Sequence, residues 1–476
     1  MSELKKMGPA TYEIPQEGSM RVPGLLIATD AQLKSEEIEK PLQQVRNVAC
    51  LPGIVGYSIA MPDIHWGYGF PIGGVAAMDA ENGVISPGGV GYDINCGVRI
   101  AMVPIRYRDL SERTKQSLLE RIFQLIPSGT GQGHEGKRTP LTDEDYRQLI
   151  EKGAKWSIER GFGFFQDLEH IESSGVLEYA SMDFVSKEAR LRGQYQLGSI
   201  GSGNHFVEIG EVGEIFEKDI AKQWKVEIGQ TYVLIHTGSR GFGHQICQDF
   251  LNQFIRLGFA SGLPDKQLVA APLKSVEGKQ YLSAMASAAN YAFNNRQQIL
   301  HGVRQAFHET CAIDLDKIHL LYDVCHNIAK IETHLVNGVQ KKLCVHRKGA
   351  TRALGPNSME LNPIFRRTGQ PVLVPGDMGR ASHLMAGLGN PITWCSACHG
   401  AGRAKSRIQS METWKEKGAV QHMQNQGVRV MAHSYRTIAE EMPDAYKDVD
   451  VVVNAVEEAS LAKKVARLRP YLVLKG

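Results

Sequence analysis

The sequence predicts an α+β fold organised as a single large mixed domain. Short β-branched apolar runs, which are typical of strands, alternate with helical stretches along the whole chain. Residues of the types that carry chemistry are spread from Asp93 to His399, so any division between them would split one site. The sequence has no internal repeat, no low-complexity tract and no Pro/Gly-rich linker between self-contained halves. One domain spanning residues 1–476 is therefore expected.

Strands and helices are assigned from the period of the apolar residues. Residues 98–105, 230–237, 317–324 and 372–375 are predicted strands, and each of them adjoins a polar cluster. Residues 110–125, 245–257, 279–311 and 451–468 are predicted helices, the third being long and rich in Ala, Asn and Gln. The polar segment 128–192 is predicted to be a peripheral insertion. The chemistry is therefore expected at strand ends and in Gly-rich loops.

The composition is that of an ordinary globular protein. Of 476 residues, 42% are hydrophobic and 22% charged, which argues against disorder. The 54 basic residues nearly cancel the 51 acidic ones, so nucleic-acid binding would require a local basic patch. No apolar leader and no membrane-length apolar run is found, and the eight cysteines are scattered. We therefore expect a cytoplasmic protein with reduced thiols and no membrane partner.

Five residues in Gly-rich settings have the side chains that metal ions prefer: Asp93, Cys96, His205, His236 and His326. A single histidine of this kind is more often a hydrogen-bonded, partly buried imidazole, but five together favour a metal site. One carboxylate, one thiolate and three imidazoles exceed a tetrahedral set, which predicts two ions sharing a bridging thiolate. The mixed donors leave the metal open between zinc, iron, cobalt and manganese.

His399 belongs to a different kind of motif, Cys-His-Gly-Ala-Gly-Arg. A neutral imidazole can attack phosphorus, while the backbone N–H groups of Gly400, Ala401 and Gly402 and the charge of Arg403 can hold phosphate oxygens. This arrangement suits nucleotidyl transfer. A glycine turn before an exposed basic helix is the simpler alternative, and the C-x-x-C-H haem pattern at residues 395–399 is disfavoured because no export signal precedes it.

Two further functional classes are weighed against nucleotidyl transfer. A metal-dependent phosphoesterase could use the same two-ion site but would transfer phosphorus to water. A non-enzymatic RNA-binding module would have no use for five clustered metal-type ligands. A stable covalent nucleotide on His399 would distinguish the first of these alternatives from a transferase.

An ordered set of motifs across nearly the whole chain resembles the RtcB-type RNA-splicing ligases. These motifs are Met-Pro-Asp-Ile-His-Trp-Gly-Tyr-Gly-Phe-Pro-Ile-Gly-Gly at 61–74, the segments 91–97, 203–208, 236–241, 345–350 and 399–403, and the final Val-Leu-Lys-Gly. The resemblance implies a family-specific α+β fold. It also implies a ligase that joins an RNA 3′-phosphate or 2′,3′-cyclic phosphate end to a 5′-hydroxyl end in tRNA splicing or RNA repair. The resemblance further implies that the enzyme uses GTP as its energy source and two manganese ions as cofactors. It also implies activation by a protein called archease.

The resemblance also assigns roles to individual residues. Asp93, Cys96 and His205 would bind one manganese ion, and Cys96, His236 and His326 would bind the other. His399 would become guanylylated, Arg240 and Arg403 would hold phosphates, and Asp93 would help activate the 5′-hydroxyl. Nucleotide-binding roles are implied for a larger set: Asn204, His205, Phe206, Val207, Glu208, His326, Asn327, Pro375, Gly376, Asp377, Met378, Ser382, His399, Gly400, Ala401, Gly402, Tyr446 and Lys475.

Two further expectations concern the nucleotide pocket and the RNA. Asp377 stands where many family members have Ser or Thr, and we expect its carboxylate to face the nucleoside or a cation such as Arg380. A basic cluster is predicted to hold RNA: Arg347, Lys348, Arg352, Arg366, Arg367, Lys405 and Arg407. Its alternative is an ordinary solvated surface.

Overall fold

The computed structural model describes residues 4–34, 38–129, 139–415 and 418–476. Its strands are β1 Lys5–Gly8, β2 Thr11–Ile14, β3 Gly24–Ile27, β4 Ile54–His65, β5 Ile72–Asp79, β6 Val84–Ile85, β7 Gly97–Arg106, β8 Phe206–Ile215, β9 Gln230–Thr237, β10 Ala271–Pro272, β11 His319–Cys325, β12 Asn327–Val336, β13 Val339–Lys348, β14 Ala350–Arg352, β15 Pro371–Val374, β16 Ser382–Gly387, β17 Ser396–Cys398, β18 Arg429–Met431 and β19 Ala462–Lys475. Its helices are α1 Glu39–Val48, α2 Glu112–Leu125, α3 Asp143–Lys152, α4 Lys155–Glu159, α5 Lys187–Gly193, α6 Lys218–Gln223, α7 Arg240–Arg256, α8 Val276–Cys311, α9 Arg407–Trp414, α10 Ala419–Asn425, α11 Tyr435–Glu440 and α12 Val449–Glu458.

Two large sheets organise the molecule. The first has the strand order β1-β2-β3-β4-β5-β13-β12, and the second has the order β11-β7-β9-β8-β19-β16-β15 with β18 beside β19. Neighbouring strands are antiparallel except in the pairs β3–β4 and β18–β19. Helices and strands are thus mixed in one domain, and the predicted α+β class is confirmed. The single-residue step from β11 to β12 at His326 joins the two sheets.

The longest helix, α8, is buried over most of its length although much of its sequence is polar. Alanines let neighbouring backbone approach closely, and the buried amides bond to the loops they meet. Asn290 donates to the carbonyls of Ile150 and Leu177 at 2.7 and 3.0 Å. Asn295 donates to the carbonyls of Ser199 and Gly238 at 3.1 and 3.0 Å. The helix therefore fixes loops that would otherwise have no secondary-structure partner.

Most of the predicted elements are found within a few residues of their expected bounds. The strands predicted at 98–105, 230–237, 317–324 and 372–375 are β7, β9, β11 and β15, and the helices predicted at 110–125, 245–257 and 279–311 are α2, α7 and α8. Helix α7 begins five residues earlier than expected, at Arg240. Glycines near its start hid the apolar period in the sequence.

The predicted helix at 451–468 is wrong in its second half. Helix α12 ends at Glu458, the chain turns through Ser460 at φ 55°, and β19 begins at Ala462. Ala, Lys, Leu and Arg after this turn favour a helix locally, but β19 pairs with β8 on one side and with β16 on the other. Pairing with these two strands outweighs the local helix propensity.

The segment 128–192, predicted as a peripheral insertion, contributes side chains to the interior. Tyr146 and Leu149 of α3 are buried in the same cluster as residues of α8, and Asp167 forms a 2.7 Å ion pair with Arg304 of that helix. Residues 130–138 of the segment lie outside the described residues. Its origin as an insertion stays a prediction. Within the described ranges no helix is both long enough and apolar enough to cross a membrane.

Candidate metal and nucleotide site

A cavity of about 730 Å³ opens beside the ends of β7, β8 and β9. Nearly all residues implicated by the sequence line it: Asp93, Cys96, Asn204, His205, Phe206, Glu208, His236, Arg240, His326, Asn327, Pro375, Gly376, Asp377, Met378, Ser382, His399, Gly400, Ala401, Gly402, Arg403, Tyr446 and Lys475. Val207 is the exception, since its side chain points into the core with Ile209 and Leu474. Residues more than 380 positions apart thus share one cavity.

Strand register brings the metal-type ligands together. In the second sheet His236 pairs with Val98 of β7 on one side and with Phe206 of β8 on the other. Cys96 directly precedes β7, His205 directly precedes β8, and His326 directly follows β11. Since these strands are neighbours, their polar ends meet at one edge of the sheet.

The ligand atoms form two groups that share one sulfur. Cys96 Sγ lies 3.4 Å from His205 Nε2 and 3.2 Å from His236 Nε2. His205 Nε2 is 2.8 Å from Asp93 Oδ2, and His236 Nε2 is 3.3 Å from His326 Nε2. Asp93, Cys96 and His205 form one group, and Cys96, His236 and His326 form the other, with ligand atoms within 4.8 Å of one another.

The chemistry of this donor set suits metal binding. Burial lowers the pKa of His236 and His326 well below 6.5, so both imidazoles are neutral at physiological pH. His236 Nδ1 lies 3.1 Å from the carbonyl oxygen of Asn204, which as an acceptor leaves the lone pair on Nε2. His326 Nδ1 is buried without a hydrogen-bond partner in the described part of the chain. Each of these neutral imidazoles can therefore offer a lone pair to a cation.

The pKa values of Asp93 and Cys96 are shifted in opposite directions. Burial by itself would raise the pKa of Asp93, but the charge and hydrogen bond of His205 lower it to about 2. Burial and the neighbouring Asp93 raise the pKa of the Cys96 thiol well above its usual range. A bound cation would have to displace the thiol proton, as metals do at cysteine ligands. The residues present therefore fit two cations that share Cys96.

His399 is held by a carboxylate that the sequence analysis did not single out. Its Nδ1 lies 2.6 Å from Asp63 Oδ2, and its backbone N–H donates to the same oxygen at 3.2 Å. Asp63 is fully buried. Because a carboxylate accepts, Nδ1 carries the proton and Nε2 keeps the lone pair. The His399 ring also lies 4.6 Å from the ring of His326, measured between centroids, so it adjoins the second ligand group.

Glu208 is a buried carboxylate that lines the same cavity. It accepts hydrogen bonds from Tyr232 Oη at 2.6 Å and from Ser382 Oγ at 3.4 Å. Burial raises its pKa to about 7, although the Tyr232 bond acts in the opposite direction. A buried carboxylate with further acceptor capacity is suited to reading N–H donors of a base.

A second carboxylate that the sequence analysis missed, Glu441, pairs with cationic side chains that line the cavity. It is 1% exposed, and its Oε1 accepts from Arg403 Nη1 at 3.0 Å. Tyr446 Oη donates to its other oxygen, from which Lys475 Nζ lies 3.7 Å away. Glu441 follows α11 in a stretch without any known motif, so no local signal identified it. Lys475 is 3% exposed in β19, which places it in the site and not in a solvated tail.

The carboxylate of Asp377 bonds within its own loop. Its Oδ1 accepts from the backbone N–H groups of Gly379 and Arg380 at 2.9 and 3.0 Å, and its Oδ2 lies 2.5 Å from Arg380 Nε. Arg380 in turn donates to the carbonyls of Pro443 and Tyr446 at 2.8 and 3.1 Å. The expected pairing of Asp377 with Arg380 is therefore present.

The predicted basic cluster for RNA is wrong for its first members. Arg347 is 1% exposed and pairs with Glu332 at 2.5 Å, and Arg352 is buried against Glu360 and Glu172 at 2.9 and 3.5 Å. Buried ion pairs of this kind keep the guanidinium groups from meeting phosphates. The sequence could not show that acidic partners from other parts of the chain pack against these arginines. Lys348 is also buried; Arg366 and Lys405 are partly exposed, and Arg367 and Arg407 are exposed.

Buried metal-type ligands and an oriented histidine thus lie together in one cavity, which fits a metal-dependent enzyme. Comparison with known proteins agrees: residues 44–476 match the family described as tRNA-splicing ligase RtcB. The tRNA-splicing ligase RtcB of Methanococcus maripaludis is 45% identical over 100% of both chains. That of Thermococcus kodakarensis is 46% identical over 100% of this chain and 99% of its own. The RNA-splicing ligase RtcB of Mycobacterium tuberculosis is 46% identical over 91% of this chain and 100% of its own. The chain belongs to the RtcB family.

Proposed function

We propose that this protein is a GTP- and manganese-dependent RNA ligase. It joins RNA ends carrying a 3′-phosphate or 2′,3′-cyclic phosphate to ends carrying a 5′-hydroxyl. The observation that supports this most is the His399–Asp63 pair, which leaves Nε2 as the nucleophilic nitrogen beside the metal-type ligands. Family membership and the composition of the cavity support the same chemistry.

The first step is transfer of GMP to the protein. His399 Nε2 attacks the α-phosphorus of GTP, an N–P bond forms, and the bond to pyrophosphate breaks. Asp63 stabilises the positive charge that develops on the imidazole, since its carboxylate already accepts from Nδ1. Glu208 receives N–H donors of guanine, while Arg403 and the backbone N–H groups of Gly400 to Gly402 bind phosphate oxygens.

Two further transfers complete the reaction. An oxygen of the RNA 3′-phosphate attacks the GMP phosphorus, the N–P bond breaks, and His399 regains its lone pair. The 5′-hydroxyl oxygen then attacks the RNA phosphorus, a phosphodiester forms, GMP leaves, and the hydroxyl proton passes to solvent. A 2′,3′-cyclic phosphate is first opened by water, which breaks the bond to the 2′-oxygen.

Manganese, bound by Asp93, Cys96, His205, His236 and His326, would withdraw charge from the phosphates and lower the pKa of the attacking hydroxyl. Arg240 is placed to contribute a fixed charge, because its guanidinium is anchored to the carbonyl of Gly129 at 2.5 Å and to Ser199 Oγ at 3.3 Å. The RNA end would enter between this arginine and His399. Archease as an activator, and the cytoplasm as location, stay predictions from the sequence.

Incubation of the protein with labelled GTP and manganese tests the proposal. We expect an acid-labile GMP adduct on the wild type and none on His399→Ala. The same variant should still join RNA whose 3′ end already carries a guanylyl cap, because that step needs no protein nucleophile, whereas Asp93→Ala should not. Release of phosphate from RNA ends without any adduct or joining would favour the phosphoesterase alternative.

A further inference from the structure

Trp66 is an exposed indole in a protein that otherwise buries its tryptophans. It is 56% exposed, whereas Trp156, Trp224, Trp394 and Trp414 are between 3% and 8% exposed. A tryptophan left in water forfeits the stabilisation that burial of its large apolar surface would give. The exposed position therefore calls for a reason outside the stability of the fold.

The loop that carries Trp66 is held firmly. Gln44 of α1 clamps Gly67, donating to its carbonyl at 2.6 Å and accepting from its N–H at 3.1 Å. Gln267 accepts from the N–H of Gly69 at 2.9 Å. Lys348 Nζ donates to the carbonyls of Tyr68 and Phe70 at 2.5 and 3.2 Å. Side chains from three distant parts of the chain thus fix the backbone on which the indole stands.

Two glycines after Trp66 make the loop tighter still. A Cβ on Gly67 would lie 2.5 Å from the carbonyl oxygen of Phe70, so this position accepts only glycine. Gly69 has φ +69° and a Cβ there would lie 2.4 Å from the carbonyl oxygen of Gln267. The chain is therefore bent tightly just after Trp66.

Trp66 lies in the chain between two residues that line the cavity. His65 directly precedes it and Tyr68 follows it by two positions, and both are lining residues. Tyr68 packs edge-on against Tyr92 with ring centroids 5.6 Å apart, and Tyr92 directly precedes the metal-type ligand Asp93. The exposed indole thus belongs to a loop whose next aromatic residue, Tyr68, packs in the cavity wall.

We propose that Trp66 is a stacking platform for an unpaired nucleobase of an RNA end entering the cavity. The inference rests on the proposed RNA ligase function and adds a subsite to it. Every base has a π-face, so stacking on a fixed indole holds single-stranded RNA without selecting its sequence. Such a platform suits an enzyme that must accept ends of differing sequence, and it supplies affinity that the buried Arg347, Lys348 and Arg352 cannot supply.

Tryptophan fluorescence gives a direct test, because Trp66 is the exposed fluorophore. The wild type is titrated with an unpaired RNA of about six nucleotides, in one arm ending in a 3′-phosphate and in the other beginning with a 5′-hydroxyl. We expect fluorescence quenching by the RNA that passes Trp66. This quenching should be absent in Trp66→Phe. Quenching by one arm alone assigns the strand. Absence of quenching in both arms would overturn the proposal.

Binding of fluorescently labelled RNA distinguishes stacking by an aromatic ring from simple apolar contact with a large side chain. Trp66→Ala should weaken binding about tenfold, or about 1.4 kcal/mol, whereas Trp66→Phe, which keeps a stacking ring, should stay within about threefold. Trp66→Leu keeps apolar surface without a π-face and should resemble Trp66→Ala. Equal affinity in all four proteins would refute the platform, and a loss shared by Trp66→Phe would show a merely structural role.

Joining of RNA ends by the wild type is measured in the same preparations. If the wild type forms no adduct and joins no ends, the proposed ligase function fails. If it joins ends and Trp66→Ala binds RNA as the wild type does, only the stacking subsite is excluded. Unchanged RNA binding would instead point to a protein partner for the indole.

Discussion

Asp63 orients His399 through two hydrogen bonds that one carboxylate oxygen accepts. The contribution of this negative charge to the reaction can be tested. Asp63→Asn replaces an acceptor by an amide that can donate, which favours the tautomer with the proton on Nε2. We expect formation of the GMP adduct to slow by about 10³- to 10⁴-fold, as when a buried carboxylate is lost behind a catalytic imidazole. Mass spectrometry over a time course with GTP and manganese measures the rate.

A matched pair elsewhere in the molecule provides the control. His383 Nε2 lies 2.8 Å from Asp450 Oδ1, outside the residues that line the cavity. Asp450→Asn should leave the adduct rate within about twofold, because this pair lies away from phosphorus chemistry. An equal loss in both variants would mean that the effect is a general loss of folding.

Glu208 predicts a pH dependence of nucleotide binding. Its pKa is raised to about 7 by burial, and in the proposed function its ionised form accepts guanine N–H donors. Affinity for GTP should therefore be full above about pH 8 and fall up to tenfold per unit below pH 7, because protonation removes the acceptor. Calorimetry on His399→Ala, which binds without reacting, follows the affinity.

Tyr232→Phe reveals whether Glu208 sets that profile. The phenol donates to the carboxylate and lowers its pKa, so removing it raises the pKa further. The midpoint of the affinity curve should move to higher pH. A midpoint that stays in place would assign the titration to another group.

At the scale of elements, α8 determines the shape of the site although none of its side chains lines the cavity. Asn295 accepts from the N–H of Ser199 at 3.0 Å and donates to the carbonyls of Ser199 and Gly238. Ser199 Oγ in turn accepts from Arg240 Nε at 3.3 Å, and Gly238 follows β9 two residues after His236. The helix thus supports both Arg240, for which we propose phosphate binding, and the strand end that carries a metal-type ligand.

Asn295→Ala should lower the free energy of unfolding by about 2–4 kcal/mol, because it leaves three buried backbone groups without partners. It should also reduce the manganese retained at limiting metal. Urea unfolding and metal analysis measure the two effects. Asn252→Ala, an exposed asparagine of α7, should change stability by no more than about 0.5 kcal/mol. Equal losses at both positions would refute a special role for α8.

At the scale of the whole molecule, the ligand set ties the two sheets together at His326, between β11 and β12. A cation bound only by the folded protein stabilises it, by about 2.7 kcal/mol per site at a hundredfold excess over Kd. For a chain of this length that corresponds to a Tm increase of roughly 3–6 °C for two sites. Calorimetric scans with manganese and with a chelator measure it.

Two buried cysteines give the comparison for this prediction. Cys96→Ala should abolish the metal-dependent part of the Tm shift, because the shared sulfur belongs to both ligand groups. Cys247→Ala removes a buried thiol that lines no part of the cavity, so its Tm should fall but its metal-dependent shift should persist. A shift retained in Cys96→Ala would argue against a shared ligand.

The local sequence was sufficient to predict those strands, helices and candidate site residues that depend on short segments of the chain. Apolar runs identified β7, β9, β11 and β15, and the Ala- and Asn-rich period identified α8, because burial of one face imposes that spacing. Residue type and glycine context pointed to the five metal-type ligands and to His399. The spread of these residues along the chain indicated a single domain.

Other features depend on partners distant in sequence, and only the tertiary structure decided them. Residues 462–468 favour a helix by themselves but become β19 because two strands need a neighbour. From sequence Arg347 was predicted to contact RNA, but in the structure it forms an ion pair with Glu332. Glu441 can be recognised only from the cations that surround it. Asp63 stood in a motif without a role until folding brought it 2.6 Å from His399, 336 positions away. Pairing energies of this kind belong to two residues at once, so no local pattern contains them.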